Sequence, residues 1–280
     1  MNVSKIKSYA KINLSLYVLG KLKSKLHKIE SLITFIDLHD KIIIKKSKRK
    51  SHTIRFYGKF SKDIPKNNSI SNLLKFLDNK KLLKEKKYSL LIKKNIPQKS
   101  GMGGGSMNAA SILKYFLRKK IIKLKKNELE EITNRIGSDV KLGLENRSLI
   151  LNANGKVQRI KQYKKLHILI AKPKIGCSTK VIYSSVKNYS KSSFREKNNF
   201  RIKNLKTLRN DLEIVAIKKY PSLLKLKKTL NYLPNVNFVR MTGSGSAFVA
   251  YFISKNAAIN ASKVFKSKSI NYWTTISKTI

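Results

Sequence analysis

The glycine-rich segment at residues 101–106, Gly-Met-Gly-Gly-Gly-Ser, constrains the fold of this chain more than any other feature. Four of its first five residues are glycine, so Cβ atoms are missing where the backbone must turn tightly or approach another group. Residues 88–92 precede the segment and are predicted to form a strand. Apolar residues at helical spacing, Ala109, Ile112 and Phe116, follow it. The sequence therefore predicts a strand, a tight loop and a helix in that order.

A loop of this kind is suited to binding an anion. Backbone N–H groups of a glycine-rich turn and the positive end of the following helix together attract phosphate. The segment is not a Walker loop, because no Gly-Lys-Ser/Thr tripeptide occurs in the chain. It also lacks the glycine spacing and the later acidic residue of the dinucleotide fingerprint. A flexible loop that only starts a helix is the alternative, and the adjoining alanine-rich helix start favours phosphate binding.

Acidic side chains are scarce, so each one narrows the search for a catalytic base. The chain has 14 acidic and 63 basic residues. Asp139 follows a glycine and a serine, where it could cap a short helix or could orient and deprotonate an alcohol near phosphate. Both roles stay open on the residues alone. Lys11 and His27 are equally ambiguous, since solvated surface residues are the ordinary expectation, and no cluster has zinc-like spacing.

The formal net charge of +49 at pH 7 raises the question of nucleic-acid binding. A nucleic-acid surface needs basic and aromatic residues gathered on one sheet or helix, whereas the lysines here are dispersed through predicted strands, loops and helices. The abundance of Lys, Asn and Ile is typical of a coding bias. The net charge nevertheless leaves a basic nucleic-acid-binding protein as the alternative from another functional class. In either case the charge predicts salt-dependent adhesion to polyanions.

The cysteine content and the apolar runs indicate the compartment. The single cysteine, Cys177, cannot form an internal disulfide, which favours a reducing environment. Residues 1–5 carry no apolar stretch of the secretory type, and no run of about 18 apolar residues occurs. We expect a cytoplasmic protein.

Strands are predicted where apolar and polar residues alternate. Such alternation covers residues 12–18. Asp40 is expected to turn the chain between the apolar residues 31–38 and a short strand at residues 42–44. Further strands are predicted at residues 53–57, 88–92, 166–171, 238–241, 247–252 and 272–276.

Helices are predicted at residues 70–77, 109–117, 129–136, 205–219 and 222–232, and before the last strand. Asn68 or Ser69 is expected to cap the first, and Asn127 with Glu130 the third, which Gly137 would end. The mixture of strands and helices predicts an α+β protein of two domains, residues 1–155 and 156–280.

Five segments occur in the order known from one family: Ala-Lys-Ile-Asn-Leu at residues 10–14, the loop at 97–110, Gly-Ser-Asp-Val at 137–140, Asn-Asp-Leu-Glu at 210–213 and Met-Thr-Gly-Ser-Gly-Ser-Ala at 241–247. Together they resemble the GHMP kinase superfamily, and the resemblance extends over nearly the whole chain. Within it, the triple glycine, the Asn-Asp-Leu-Glu element and the opening Lys-x-Asn are similar to kinases of a cytidine diphosphate-linked polyol. A GHMP kinase of homoserine, mevalonate or a sugar is the alternative.

The resemblance implies a fold and a reaction. The fold would have an N-terminal half like domain 2 of ribosomal protein S5 and an α+β C-terminal half, with the active site in the cleft between them. The catalytic pair would be Lys11 and Asp139: Asp139 would accept the proton of the substrate hydroxyl, and Lys11 would hold that carboxylate ionised. ATP would be the phosphate donor, with Mg²⁺ on its phosphates and no side chain assigned as a metal ligand.

The resemblance also implies binding residues. Those expected to bind ATP are Pro97, Gln98, Lys99, Ser100, Gly101, Met102, Gly103, Gly104, Gly105, Ser106, Met107 and Asn68. Those expected to bind the small-molecule substrate are Asn13, His27, Thr179 and Tyr183, with Tyr183 stacked on cytosine. We expect no specific nucleic-acid or membrane partner, and a homodimer is left open.

Three positions depart from the family pattern. Residues 25–27 are Lys-Leu-His where family members usually have Gly-Tyr-His, so Leu26 supplies no second ring for cytosine. Base–aromatic stacking is worth about 1–3 kcal/mol, which predicts weaker substrate affinity. Met107 replaces a serine of the loop, and Lys141 replaces a proline. None of these positions belongs to the expected catalytic pair.

Overall fold

The computed structural model describes residues 3–22, 26–160, 165–192, 202–268 and 271–280. Strands and helices are mixed along the chain, which confirms the α+β class. The elements are β1 (Val3–Asn13), β2 (Tyr17–Lys21), β3 (His27–Ser47), β4 (Thr53–Tyr57), α1 (Ser69–Asn79), β5 (Lys87–Lys93), α2 (Gly104–Arg118), α3 (Lys126–Ile136), a 3₁₀ turn (Val140–Leu144), β6 (Leu149–Leu151), β7 (Val157–Arg159), β8 (His167–Lys172), α4 (Thr179–Ser184), α5 (Ile202–Thr207), α6 (Asp211–Lys219), α7 (Ser222–Asn231), β9 (Phe238–Met241), β10 (Phe248–Phe252), α8 (Lys255–Lys268) and β11 (Trp273–Lys278).

The chain forms two compact units, each built from several segments. The first unit comprises Met1–Lys11, Leu38–Gln98 and Gly103–Asn146, and the second comprises Ile12–Asp37, Lys99–Met102 and Arg147–Ile280. The domain boundary at residue 155 stays a prediction. None of the described helices is long and apolar enough to cross a membrane.

The first unit packs helices against a small sheet. The carboxyl half of β3 pairs antiparallel with β5, and β4 lies parallel to β5. Because side chains alternate along a strand, every second residue faces the helices. The resulting core contains Ile42, Ile44, Leu90, Ile92, Leu73, Leu77, Ala109, Ile112, Leu113 and Phe116. The apolar face predicted for α2 is therefore buried.

The second unit contains an antiparallel four-stranded sheet in the order β11-β8-β10-β9. Helices α6, α7 and α8 cover it, and the apolar residues of β8 and β10 lie in one core with residues of these helices. The amino half of β3 belongs to this unit, where it pairs with β2 and β6. Strands β8, β9, β10 and β11 confirm the strand predictions for this part of the chain.

The helix caps were predicted correctly for α1 and wrongly for α3. Asn68 caps α1, since its Oδ1 accepts hydrogen bonds from the N–H groups of Ile70 and Ser71 at 3.0 and 3.2 Å. Helix α3 begins at Lys126, ahead of the predicted cap residue Asn127. Glu128 accepts the N–H of Lys125 at 2.6 Å and so satisfies the exposed helix start earlier than expected.

Asp40 does not turn the chain, and this prediction was wrong. Strand β3 runs through it without interruption from His27 to Ser47. The carboxylate is fully buried and accepts hydrogen bonds from the N–H groups of Asn95 at 2.7 Å and Ile96 at 2.9 Å, while its other oxygen pairs with Lys94. Because these partners satisfy the charge and both oxygens, the strand can continue through a buried aspartate.

Two segments predicted as continuous are divided. Strand β1 ends at Asn13 and β2 starts at Tyr17, instead of one strand over residues 12–18. The helix predicted at residues 205–219 is divided into α5 and α6, because Leu16 and Asn210 form a parallel β-bridge that holds the backbone extended there. The Asn210 side chain then caps α6 by accepting the N–H of Leu212 at 3.0 Å.

Candidate active site

The glycine loop leads into α2 as the sequence predicts. Gly103 precedes the helix in the left-handed region, with φ of +68°. A Cβ at Gly103 would lie 3.2 Å from Lys11 Cε and 3.6 Å from Asp139 Oδ2. Glycine therefore allows both the conformation and the close approach of these side chains. The first N–H groups of α2 have no partner within the helix, so they are available to an anion at this point.

Lys11 and Asp139 form an ion pair beside the loop. Lys11 Nζ lies 3.5 Å from Asp139 Oδ2, and the side chains are 6% and 35% exposed respectively. Asp139 stands at the start of the 3₁₀ turn but its side chain makes no capping hydrogen bond. The capping role that the sequence left open is thus not the role of this carboxylate. Its side chain is directed at Lys11 and Gly103 and is open to a ligand.

Further residues of the first unit surround the start of α2. A Cβ at Gly104 would lie 3.1 Å from Ile96 Cγ2 and 3.5 Å from Lys94 Nζ. A Cβ at Gly105 would lie 3.7 Å from Ser69 Oγ, which adjoins the predicted ATP-binding residue Asn68. Lys94 was missed by sequence reasoning, because one lysine among 63 basic residues gives no signal until its buried partner Asp40 is known.

Several predicted ATP-binding side chains have structural roles. Asn68 donates from Nδ2 to the carbonyl of Pro65 at 2.9 Å in addition to its capping bonds. Gln98 Nε2 donates to the carbonyl of Phe60 at 3.2 Å. Met107 is buried, and its Sδ would lie 2.9 Å from a Cβ at Gly143. Contacts of Met107 with a nucleotide would therefore be made by its backbone.

The central part of the loop, Lys99–Met102, belongs to the second unit and contacts a second glycine-containing loop, Thr242–Ser246. Gly101 has φ of +76°, and a Cβ there would lie only 1.9 Å from the carbonyl oxygen of Thr242. The N–H of Ser246 donates to the carbonyl of Lys99 at 3.3 Å. The backbones of the two loops are thus packed too closely to admit a side chain at Gly101.

Two predicted substrate-binding residues also contact the Thr242–Ser246 loop. Asn13 is buried; its N–H donates to Thr242 Oγ1 at 3.0 Å, and its Nδ2 donates to Ser31 Oγ at 2.8 Å. Thr179 Oγ1 lies 2.9 Å from Ser244 Oγ. This loop belongs to the segments that carry the family resemblance, yet sequence reasoning named none of its residues as part of the site.

The other two predicted substrate-binding residues form a ring pair. The centroids of His27 and Tyr183 lie 5.1 Å apart with the planes tilted by 39°. Burial, with a smaller contribution from Lys21, lowers the pKa of His27 below its ordinary value, which favours the neutral ring. His27 Nε2 is buried and has no hydrogen-bond partner among the described residues. A buried nitrogen of this kind calls for a ligand or water.

Two of the three residues that depart from the family pattern at 25–27, or adjoin that departure, are described in the structure: Leu26 and His27. Leu26 is 64% exposed and directly precedes His27, so its side chain covers little of the protein surface. Lys25 lies outside the described residues. The position that would carry a second ring in the family pattern is therefore filled by an exposed aliphatic side chain.

Known proteins resemble this chain in sequence and in fold. The family model of the GHMP kinases N terminal domain matches residues 68–147, which include the loop and Asp139. A solved 4-(cytidine 5'-diphospho)-2C-methyl-D-erythritol kinase aligns with a TM-score of 0.77 at 19% identity over 99% of each chain. The homoserine kinase of Cytophaga hutchinsonii aligns with a TM-score of 0.71 at 14% identity, over 100% of this chain and 95% of that one. These two likenesses establish the GHMP kinase fold.

Sequence similarity is more specific than the fold. The 4-diphosphocytidyl-2-C-methyl-D-erythritol kinase of Pelagibacter ubique is 58% identical to this chain over 282 residues, which cover 100% of both proteins. The aligned length therefore spans both units. The chain therefore belongs to the 4-diphosphocytidyl-2-C-methyl-D-erythritol kinase family of the GHMP kinases.

Proposed function

We propose that this chain transfers the γ-phosphate of ATP to the 2-hydroxyl of 4-diphosphocytidyl-2-C-methyl-D-erythritol, a step of non-mevalonate isoprenoid biosynthesis. One observation carries the proposal: the Asp139 carboxylate, paired with Lys11 at 3.5 Å, lies beside Gly103 at the start of α2. An acceptor for a proton thus stands next to a ready-made site for phosphate. Use of ATP follows from membership in a kinase family.

Three groups of the first unit have distinct roles in this reaction: the start of α2, Asp139 and Lys11. The backbone N–H groups of residues 103–106 hold the phosphates and align the γ-phosphate. Asp139 accepts the proton of the attacking hydroxyl. Lys11 adds a positive charge that burial holds in place beside Asp139, where it stabilises the negative charge that develops on the transferring group.

Mg²⁺ belongs to this proposal through the nucleotide. Among the described residues, no group of three or more His, Cys, Asp or Glu side chains could hold a metal ion. This arrangement fits Mg²⁺, which commonly binds through substrate phosphates, water and one or two carboxylates. The Asp139 carboxylate is the acidic group beside the loop that would face it. When bound, Mg²⁺ neutralises phosphate charge.

The residues of the second unit favour a cytidine-containing acceptor. The Tyr183 ring offers a surface for a base, and the buried His27 Nε2 offers a hydrogen-bonding group next to it. Asn13 and Thr179 supply polar groups for the polyol and diphosphate. Homoserine and mevalonate have no aromatic ring, so neither acceptor could stack on Tyr183.

The proposal is tested by ADP release from purified protein with ATP and Mg²⁺ across a panel of alcohols. We expect turnover with 4-diphosphocytidyl-2-C-methyl-D-erythritol and only background with homoserine, mevalonate and a sugar. 2-C-methyl-D-erythritol 4-phosphate is the matched control, since it keeps the polyol and lacks the cytidine. Turnover of homoserine or mevalonate with the cytidyl compound ignored would show that the assigned acceptor is wrong.

A further inference from the structure

Asn210 and Glu213, two residues of the Asn-Asp-Leu-Glu element, form hydrogen bonds with the backbone where the Thr242–Ser246 loop begins. Asn210 is 3% exposed, and its Nδ2 donates to the carbonyls of Met241 and Gly243, both at 2.8 Å. The buried Glu213 accepts the N–H of Met241 at 2.8 Å, and its other oxygen pairs with Lys227. The sequence suggests no role for either residue, because their partners lie far away along the chain.

These bonds fix backbone groups that would otherwise lack partners. Strand β9 is the last strand of its sheet and pairs only with β10 among the described strands. Groups of Met241 on the outer edge of β9 therefore need partners from elsewhere, since buried backbone polar groups are almost always paired. Asn210 uses both hydrogens of its amide for this purpose, while its oxygen caps α6.

The loop so held contacts two groups of the candidate site. Thr242 Oγ1 accepts the N–H of Asn13 at 3.0 Å and lies 3.3 Å from the carbonyl oxygen of Gly101. On the other side, a Cβ at Gly243 would lie 2.7 Å from that same carbonyl oxygen. With backbones this close, a shift of the Thr242–Ser246 loop must move Asn13, Gly101 or both.

We propose that Asn210 and Glu213 are positioning residues for the reaction. They hold the Thr242–Ser246 loop, and through Thr242 they set the backbone positions of Asn13, a proposed acceptor-binding residue, and of Gly101 in the glycine loop. This positioning role rests on the proposed function, because it is measured through the rate of the proposed kinase reaction. A small misplacement of reacting groups costs rate even when the fold persists, so the effect belongs to kinetics as well as to stability.

The first test compares two neighbouring substitutions of the same kind. Asn210→Asp keeps the capping oxygen and the size of the side chain but removes both N–H donors to the loop. Asp211→Asn is the matched control, because the Asp211 side chain accepts hydrogen bonds from the N–H of Val18, the hydroxyl of Ser190 and Nε of Arg209, none of which belongs to the Thr242–Ser246 loop. We expect Asn210→Asp to lower kcat/KM for ATP and for the acceptor by about tenfold or more. Asp211→Asn should change stability but leave both KM values within about twofold.

The second test asks whether Asn210 acts through Thr242. In a Thr242→Val background, Asn210→Asp should cost less than about threefold, because the contact that transmits its effect is already lost. Equal cost in both backgrounds would overturn the proposal, as would kinetics for Asn210→Asp that match those of Asp211→Asn. An inactive wild-type protein would instead contradict the proposed function.

A second pair of variants decides the matter if Asn210→Asp does not fold. Glu213→Gln keeps an oxygen that can accept the N–H of Met241, whereas Glu213→Leu removes it. We expect Glu213→Gln to restore most of the kcat/KM that Glu213→Leu loses. Equal kinetics for these two variants, measured where both are folded by circular dichroism, would overturn the role of Glu213 and with it the proposal.

Discussion

At the scale of single residues, Asp139 differs from the carboxylates that bind backbone N–H groups. Asp40 and Glu213 are buried and accept backbone N–H groups, and Asp211 accepts the N–H of Val18. These carboxylates stabilise the fold by pairing with backbone N–H groups. Asp139 caps nothing with its side chain, is 35% exposed and faces Lys11 beside the glycine loop. In a chain with only 14 acidic residues, this combination of exposure and position marks it as the candidate base.

Substitution of Leu26 tests how the acceptor base is bound. Leu26→Tyr would add a ring next to His27, whose own ring lies 5.1 Å from Tyr183. We expect KM for the cytidyl acceptor to fall about fivefold, which corresponds to about 1 kcal/mol, the lower end of base–aromatic stacking. KM for ATP should not change. Steady-state kinetics with each substrate varied in turn provides the measurement.

The matched control places the same ring elsewhere. Leu224 is an exposed leucine on α7, so Leu224→Tyr adds an aromatic side chain at a surface position far along the chain from His27. It should leave both KM values unchanged. An unchanged or higher KM for the acceptor in Leu26→Tyr would mean that the missing ring does not limit affinity.

At the scale of elements, the sequence predicts what local periodicity controls. The strands near residues 53–57 and 88–92 and the buried face of α2 are correct, because their burial follows a period of two or 3.6. Two of the errors, at Asp40 and Asn210, occur where polar contacts with distant residues decide between a turn, a strand and a helix. No local pattern carries that information.

The same limit applies to the candidate site. The glycine loop and its position before a helix can be predicted from the residues themselves. The pairing of Lys11 with Asp139 could not, because the two lie far apart in the chain and neither is unusual in its local sequence. Only the family resemblance named them together. The roles of Asn210 and Lys94 follow only from the three-dimensional structure, because their partners lie far away along the chain.

The buried pair of Asp40 and Lys94 lies at the entrance to the glycine loop and gives a prediction for stability. Asp40→Asn keeps an oxygen for the N–H groups of Asn95 and Ile96 but leaves Lys94 buried without its counter-charge. We expect it to lower the free energy of unfolding by about 3–5 kcal/mol. Chemical denaturation followed by circular dichroism provides the measurement.

A second substitution separates charge burial from lost packing. In Asp40→Asn/Lys94→Met the uncompensated charge is gone and an apolar chain of similar length fills its place. We expect the double variant to be more stable than Asp40→Asn alone. A double variant that is less stable than either single variant would mean that the Lys94 charge is not the source of the loss.

At the scale of the whole molecule, the charge of +49 acts on anions in general. ATP and the proposed acceptor are both anionic, so a strongly positive protein should attract them over a distance set by ionic strength. The same field should attract nucleic acid without reading its sequence. A dedicated nucleic-acid-binding protein, by contrast, would prefer one nucleic-acid sequence over others.

Raising the salt concentration should weaken both effects. Between about 20 and about 200 mM KCl we expect kcat/KM for the cytidyl acceptor to fall about three- to tenfold, while kcat at saturation changes little. Binding to duplex DNA of mixed sequence should vanish over the same range. Salt-resistant binding with a preference for one nucleic-acid sequence would instead favour the nucleic-acid alternative.

The most direct test of the account is the turnover of Asp139→Asn together with its affinity for ATP, measured by calorimetry on the same preparation. The substitution keeps the size of the side chain and removes the proton acceptor, while the N–H groups of α2 remain. We expect ATP affinity within about threefold of wild type and turnover reduced by about 10²- to 10⁴-fold. Turnover close to that of wild type would contradict the assignment of Asp139 as the base beside the phosphate loop.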